Sequence, residues 1–144
     1  MTIALEHRTA TSGDVSILAR MNQQLIEDEG HRNSMNLTEL ETRTRSMLDG
    51  DYTATLFELH DQEVAYALWR EEPEWVYLRQ FFVARDYRRC GIGRQAIRDL
   101  GNELWPAGKR IRVNALIGNR PALEFWRAVG FTDYLITLEM ERAR

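Results

Sequence analysis

One cysteine, Cys90, is all the chain has, so an internal disulfide framework is excluded and a reducing compartment fits. A basic excess is also missing. Nineteen Lys and Arg stand against 22 Asp and Glu, a formal net charge of −3, which argues against a dedicated nucleic-acid binder. No run approaches the roughly 18 apolar residues of a membrane span, and the opening MTIALEHRTATSGD has no apolar stretch long enough for a signal peptide. The three histidines, His7, His31 and His60, lie in separate segments with no cysteine or carboxylate at ligand spacing, so no metal site is expected. Repeats, low-complexity tracts and linkers are absent too. These absences leave one soluble, cytoplasmic domain over residues 1–144, with no nucleic-acid or membrane partner. Its 44 % hydrophobic residues are enough for a core.

The periodicities then set out the elements. Residues 2–10 alternate weakly and read as a short strand. Residues 11–30 read as a helix, with Thr11 and Asp14 at capping-box spacing, Val15, Leu18, Met21 or Asn22, and Leu25 on one face, and Gly30 as its stop. A second helix over 36–51 turns Leu37, Leu40, Thr44 and Met47 or Leu48 inward. Strands at 52–60 and 63–71 read as a hairpin turning at Asp61-Gln62, and the aromatic, β-branched run 74–84 as a central, well-buried strand. A helix with Ile92, Ala96, Leu100 and Leu104 at four-residue steps ends at Pro106 and Gly108. A strand over 109–117, a helix over 119–131 with Pro121 in its first turn, and a last strand over 133–142 complete the chain. The order β-α-α-β-β-β-α-β-α-β is a mixed α/β chain with at least one parallel pairing across a helix.

The chemistry concentrates in VARDYRRCGIGRQAI, residues 83–97, where four arginines and two glycines stand between a strand and a helix. A strand that enters such a turn leaves backbone N–H groups exposed at the helix start, where the positive end of the helix dipole adds to them and favours phosphate. Gly91 and Gly93 let a pyrophosphate approach the main chain, and Arg88, Arg89 and Arg94 supply charged donors. A solvated turn, with arginines for solubility, accounts for the same residues. The spacing is not G-x-x-x-x-G-K-[ST], since no lysine follows. A dinucleotide G-x-G-x-x-G loop is disfavoured, because Ala96 holds the third glycine position and the segment follows a hairpin rather than opening the chain.

Arg88-Arg89-Cys90-Gly91-Ile92-Gly93 resembles the R/Q-x-x-G-x-G/A loop of the GNAT acyltransferase superfamily, and Asn119, Ala122, Phe125, Gly130 and Phe131 resemble its N-x-x-A-x-x-F-Y-x-x-x-G-F helix. The element order matches as well, so the resemblance covers essentially the whole chain. It implies the GNAT fold: a mixed central sheet with splayed middle strands flanked by helices. It further implies an acetyl-CoA cosubstrate, with no metal, whose pantetheine pairs with the main chain at Phe81, Phe82 and Val83. The pyrophosphate would rest on the N–H groups of Arg88, Arg89, Cys90, Gly91, Ile92, Gly93 and Arg94. Asn119 would bond the pantetheine arm, with Phe125 packed along it. An N-cap and a core phenylalanine are the structural alternatives for those two residues.

One position departs from the resemblance. The family's usual tyrosine, thought to protonate the leaving thiolate, is Trp126 here. An indole N–H donates a hydrogen bond and cannot deliver a proton. Because a thiol has a pKa near ~8.5, coenzyme A is a tolerable leaving group without an acid, and the loss is expected at the low end of about 10²–10⁴-fold. Trp126 would then donate to the sulfur or pack, with Tyr134 and Tyr77 as substitute acids. For the acceptor, Glu27, Asp28, Glu29 and His31 end the first helix, where three acids oppose the helix dipole. As a cluster they would draw a cationic amine, with Glu29 or Glu27 as base and Asp28 and His31 binding substrate; solvated charges closing a helix are the alternative. Arg79, unusual in an apolar strand, would contact the acyl group or receive an acceptor carboxylate.

The resulting expectation is an acetyl-CoA-dependent N-acetyltransferase acting by direct attack of a primary amine, on a small molecule or a peptide. The oligomeric state is open, and residues 135–140 are a segment that could pair with a second subunit to make a homodimer. The alternative expectations are a non-catalytic acyl-CoA binding or sensing module, and a partner-binding domain without coenzyme A.

Overall fold

Residues 3–30 and 32–144 are described by the computed structural model, and they form two compact units, Met1–Asn114 and Ala115–Arg144. In the first unit, strand β1 (Glu6–Thr9) and a 3₁₀ turn (Ser12–Asp14) lead into helices α1 (Val15–Glu29) and α2 (Leu37–Asp49). Strands β2 (Thr53–Leu59), β3 (Gln62–Glu71) and β4 (Trp75–Val83) follow. Helix α3 (Ile92–Asp99), continued by a π-helical turn (Leu100–Leu104), then crosses to β5 (Arg110–Val113). The sheet order is β1-β2-β3-β4-β5, antiparallel throughout except for the parallel β4–β5 pair that α3 connects. This is the mixed sheet flanked by helices that the sequence implied.

Local chemistry sets the element ends. The Thr11 N–H donates to the Asp14 carboxylate at 2.8 Å ahead of α1, and Gly30 closes α1 in the left-handed region at φ 64°. Asn36 and Glu39 form a reciprocal box at the start of α2, with bonds of 2.9 and 3.0 Å. The apolar faces meet the sheet as the spacing predicted. Leu18 and Met21 of α1 pack with Ala54, Leu56, Tyr66, Leu68 and Phe82 of the strands, and Met47 and Leu48 of α2 border that cluster. Each such side chain contributes roughly 1.5–3 kcal/mol by leaving water. The β2–β3 hairpin turns on His60 and Asp61, both at positive φ (52° and 64°), which is the two-residue type I′ geometry that matches strand twist.

Three expectations are corrected. The middle strand is β3, buried at every residue from 64 to 69, whereas β4 lies beside the edge strand and alternates between buried and accessible positions. Aromatic density made β4 look central, but strand order is decided by pairing partners outside the strand itself. Strand β5 ends at Val113 rather than extending to 117. The last strand expected over 133–142 does not form. Residues 132–144 contain no regular element, and Tyr134, Leu135, Ile136, Leu138 and Met140 are between 70 and 89 % exposed. Alternation supplies a strand's pattern, while a ladder also needs a partner edge.

The second unit is built around α4 (Arg120–Ala128), which has Asn119 as N-cap and Pro121 in its first turn. Trp126 is buried, edge-on to Phe125 at 4.9 Å and to Phe131 at 5.1 Å between ring centres. The Phe131 N–H returns to the Trp126 carbonyl at 2.9 Å, and Arg127 grips Asp133 through two bonds of 2.9 and 2.8 Å.

Candidate active site

The sheet opens where β4 outlasts β5. Only residues 75–78 of β4 pair with β5, and residues 79–83 continue without it. At that same point β4 carries a bulge: Trp69 pairs with Leu78 and Leu68 with Gln80, so Arg79 is the extra residue. The bulge accounts for two adjacent polar residues in an apolar strand. Gln80 accepts from the Tyr66 hydroxyl at 2.9 Å, while Arg79 donates to the Tyr52 hydroxyl at 3.2 Å and lies over the Tyr52 ring. Further along, the Ala84 N–H bonds to the Val64 carbonyl of β3 at 2.8 Å. Main-chain groups alternate along a strand, so those of Val83 point away from β3, toward the edge that β5 has left.

The chain then passes a 3₁₀ turn (Arg85–Tyr87), places Arg89 at φ 62° and Gly91 at φ 84°, and starts α3 at Ile92. Ile92 is buried and anchors the turn from below. Helices α2 and α4 have a side chain accepting from their first-turn N–H groups, Asn36 and Asn119 respectively; α3 has only Gly91 at that position and no side-chain cap. A Cβ at Gly91 would find its nearest neighbour, Ile3 Cδ1, at 3.7 Å, so the main chain there is open to close approach. Arg89 and Arg94 are exposed and form no ion pair among the described residues. Cys90 is exposed, with Sγ 3.4 Å from the Arg88 carbonyl.

Arg88 is turned inward. Its Nε–H donates to the Val83 carbonyl at 2.7 Å, its Nη2 bonds the Asp28 carboxylate, and its guanidinium lies over Phe82. Arg85 reaches the same Asp28 carboxylate at 2.7 and 3.1 Å, and Gln24 reaches it at 3.0 Å. Burial works to raise the Asp28 carboxyl, but the hydrogen bonds from Arg88, Arg85 and Gln24 together outweigh it and hold the group below its usual range. Asp28 therefore ties the end of α1 to the turn before α3.

The other sequence-derived candidates are distributed as follows. Glu27 is exposed beside Gln24, and Glu29 is partly buried, its charge adding to the upward push of burial on the Tyr66 phenol. His31 lies outside the described residues. Phe81, Phe82 and Val83 occupy the end of β4 beyond its pairing with β5, with Phe82 in the core. Asn119, Phe125, Trp126 and Tyr134 belong to the second unit. There Asn119 Oδ1 caps α4 by accepting from the Ala122 N–H at 3.3 Å, and Tyr134 is 75 % exposed.

Sequence reasoning missed a buried polar group beneath α1 and α2. Tyr66 is wholly buried on β3, and burial pushes its phenol far above the ordinary tyrosine range. Asn22 is buried on α1 and accepts from Arg43 Nη2 of α2 at 2.9 Å. Burial, followed by the nearby charge of Arg79, lowers the pKa of Arg43. Asn22 on the apolar face of α1 was the one visible trace of this group.

No curated protein matches the chain in a sequence comparison. Among solved structures, a possible acetyltransferase from Clostridium difficile 630 superposes with a TM-score of 0.76 at 16 % identity, over 97 % of this chain and 98 % of the other. An aminoglycoside 6'-N-acetyltransferase from Acinetobacter haemolyticus gives 0.76 at 14 % identity, over 96 and 99 %. A predicted acetyltransferase with acetyl-CoA from Clostridium acetobutylicum gives 0.73 at 21 % identity, over 95 and 96 %. Similarity at these identities establishes a shared fold. The profile of the acetyltransferase (GNAT) family matches residues 19–131, most of the sequence and both of its motifs, and the chain belongs to that family.

Proposed function

We propose that the chain, as one catalytic domain over residues 1–144, is an acetyl-CoA-dependent N-acetyltransferase of the cytoplasm that acetylates a primary amine by direct attack. The observation that carries this reading is the start of α3: a helix with no side-chain cap, opened by Gly91 at positive φ, directly after a strand whose end has lost its neighbour. These features fit a pyrophosphate on the N–H groups of residues 91–94 and a pantetheine along β4 at Phe81 and Val83, beyond its pairing with β5. Arg89 and Arg94 are free to supply charge at the rim. Acetyl-CoA, when bound, supplies the activated acetyl thioester.

The protein's own share of the chemistry is orientation, polarisation and proton removal. Holding amine and thioester together is the largest rate term for a bimolecular transfer. The Val83 N–H, facing the open edge, is oriented to polarise an acyl oxygen. An amine with a pKa near ~10.4 is less than about 0.1 % neutral at pH 7, so Glu29, or Glu27, serves as the base. Similarity to an acetyltransferase with acetyl-CoA and to aminoglycoside acetyltransferases supports this cosubstrate and an amine acceptor.

Stabilisation of the fold by acetyl-CoA, read as a thermal shift, tests the donor site, and an unchanged melting temperature at saturating acetyl-CoA would sink it. Trp126 favours a second reading, a non-catalytic acyl-CoA sensor. Trp126→Phe separates the two roles of the indole: turnover stays within about tenfold if it only packs and drops well beyond that if it acts on the thiolate. The exposed apolar side chains of residues 134–140 support a homodimer, which sedimentation equilibrium would test.

A further inference from the structure

Asp28 joins the turn before α3 to the end of α1, and a second tie joins that turn to the N-terminal segment through Gln95. Gln95 lies in the first turns of α3 and is only 9 % exposed. Its side-chain amide meets the main chain of Ile3 twice. Oε1 accepts from the Ile3 N–H at 2.9 Å, and Nε2 donates to the Ile3 carbonyl at 2.7 Å. The Gln95 main-chain N–H donates to the Gly91 carbonyl at 3.1 Å. One residue therefore bridges Ile3 and Gly91. The Ile3 side chain adds a direct contact, with Cδ1 3.7 Å from where a Cβ on Gly91 would stand. Beyond Ile3 the segment is anchored in the sheet: the Leu5 N–H turns back to the Ile3 carbonyl at 2.8 Å, and Glu6 opens β1 opposite Glu58 of β2. A buried amide is unfavourable unless donor and acceptor are both met, and here Ile3 meets both. The turn needs such support. Arg89 and Gly91 stand at positive φ, 62° and 84°, and a non-glycine residue keeps that conformation only where its surroundings hold it there.

We infer that Gln95 is a positioning residue for the coenzyme turn. By clamping residues 3–5 to α3, it holds Gly91 and the N–H groups that follow in the arrangement a pyrophosphate needs, before the coenzyme arrives. This rests on the N-acetyltransferase reading and deepens its donor site. A turn ordered in advance keeps the affinity that a turn ordered on binding would lose. Gln95 itself is engaged with Ile3 and acts on the coenzyme through Gly91. A further tie between the same parts of the chain provides an internal control. His7 of β1 bonds Glu103 in the π-helical turn, about two helical turns beyond Gln95. It fastens the N-terminal segment to the far end of α3 and does not reach Gly91.

The test compares three variants of the full chain. Gln95→Met keeps the side-chain volume and removes both amide bonds, Ile3→Ala removes the contact on Gly91, and His7→Ala removes the far tie. Two quantities are read: deuterium exchange of the coenzyme-free protein over residues 95–97, where the first intrahelical bonds of α3 form, and the affinity for coenzyme A by calorimetry. Gln95→Met and Ile3→Ala are expected to exchange faster there and to bind coenzyme A about 3- to 10-fold more weakly. His7→Ala is expected to lower Tm with both quantities at their wild-type values. Wild-type affinity in Gln95→Met overturns the inference, whether or not exchange is faster. An equal loss of affinity in His7→Ala overturns it too, since the effect would then be one of general stability. If Gln95→Met does not fold, Ile3→Ala decides by the same two readings. No heat from coenzyme A with the wild type would instead remove the parent reading, and the inference with it.

Discussion

Replacing Asp28 with asparagine frees two arginines at once. The carboxylate accepts from Gln24, from Arg85 at 2.7 and 3.1 Å, and from Arg88, and its side chain keeps only 15 % of its exposure. A well-buried charged hydrogen bond contributes about 1.5–3 kcal/mol. Arg85 and Arg88 are 59 and 38 % exposed, so solvent screening reduces each pair to about 1 kcal/mol or less. Asp28→Asn should therefore lower stability by about 1–2 kcal/mol, or roughly 3–7 °C in Tm. The functional effect follows from what Arg88 holds. With Asp28 neutral, Arg88 loses the anchor that aims its Nε–H at the Val83 carbonyl, and the turn before α3 loses its tie to α1. Acetyl-CoA affinity, measured by calorimetry, should fall about 3- to 10-fold, and Asp28→Glu should restore part of it. Wild-type affinity in Asp28→Asn, with an unchanged Tm, would refute the idea that this ion-pair group orders the cofactor turn.

Gly91→Glu should abolish coenzyme A binding, because a side chain at φ 84° is strained and its carboxylate repels the pyrophosphate; unchanged affinity would mean the cradle lies elsewhere. Acid should loosen the fold in the sense set by its bound carboxylates. Asp14 is held to about 2, with Arg8's hydrogen bond the largest cause, and Asp28 is held below its usual range. Both contribute stability that is full above the unfolded value near ~3.9 and lost as pH falls through the folded one, so Tm should drop below about pH 4 and drop less in Asp28→Asn. Asn-Gly in place of His60-Asp61 relieves two positive-φ residues and should raise stability by about 1 kcal/mol in urea titrations.

The elements that were legible in the sequence are those whose cause is local. Thr11 with Asp14, Gly30 and Pro121 mark helix ends by groups that act within a turn, and the spacing of apolar residues in α1 and α2 chose the faces that reach the core. Gly91 and Gly93 marked the turn into α3 for the same reason. What was not legible depends on partners. Nothing within residues 74–84 says whether that strand is central, and nothing within 133–142 says whether an edge will receive it. The bulge at Arg79 comes from pairing with β3, and its only trace was two polar residues in an apolar run. Asp28 illustrates the same limit for the site. Its charge was plain, but its engagement with Arg85 and Arg88, 57 and 60 residues away, needed the fold.

Amine-dependent release of coenzyme A from acetyl-CoA by the purified protein, followed by mass analysis of the acceptor, is the decisive measurement of acetyl transfer. An N-acetyltransferase gives thiol release that needs the amine, an acceptor heavier by one acetyl group, and loss of both in Gly91→Glu. Tight acetyl-CoA binding with no release across carboxylated, phosphorylated, neutral and polycationic amines would contradict it and leave a sensor in place of an enzyme.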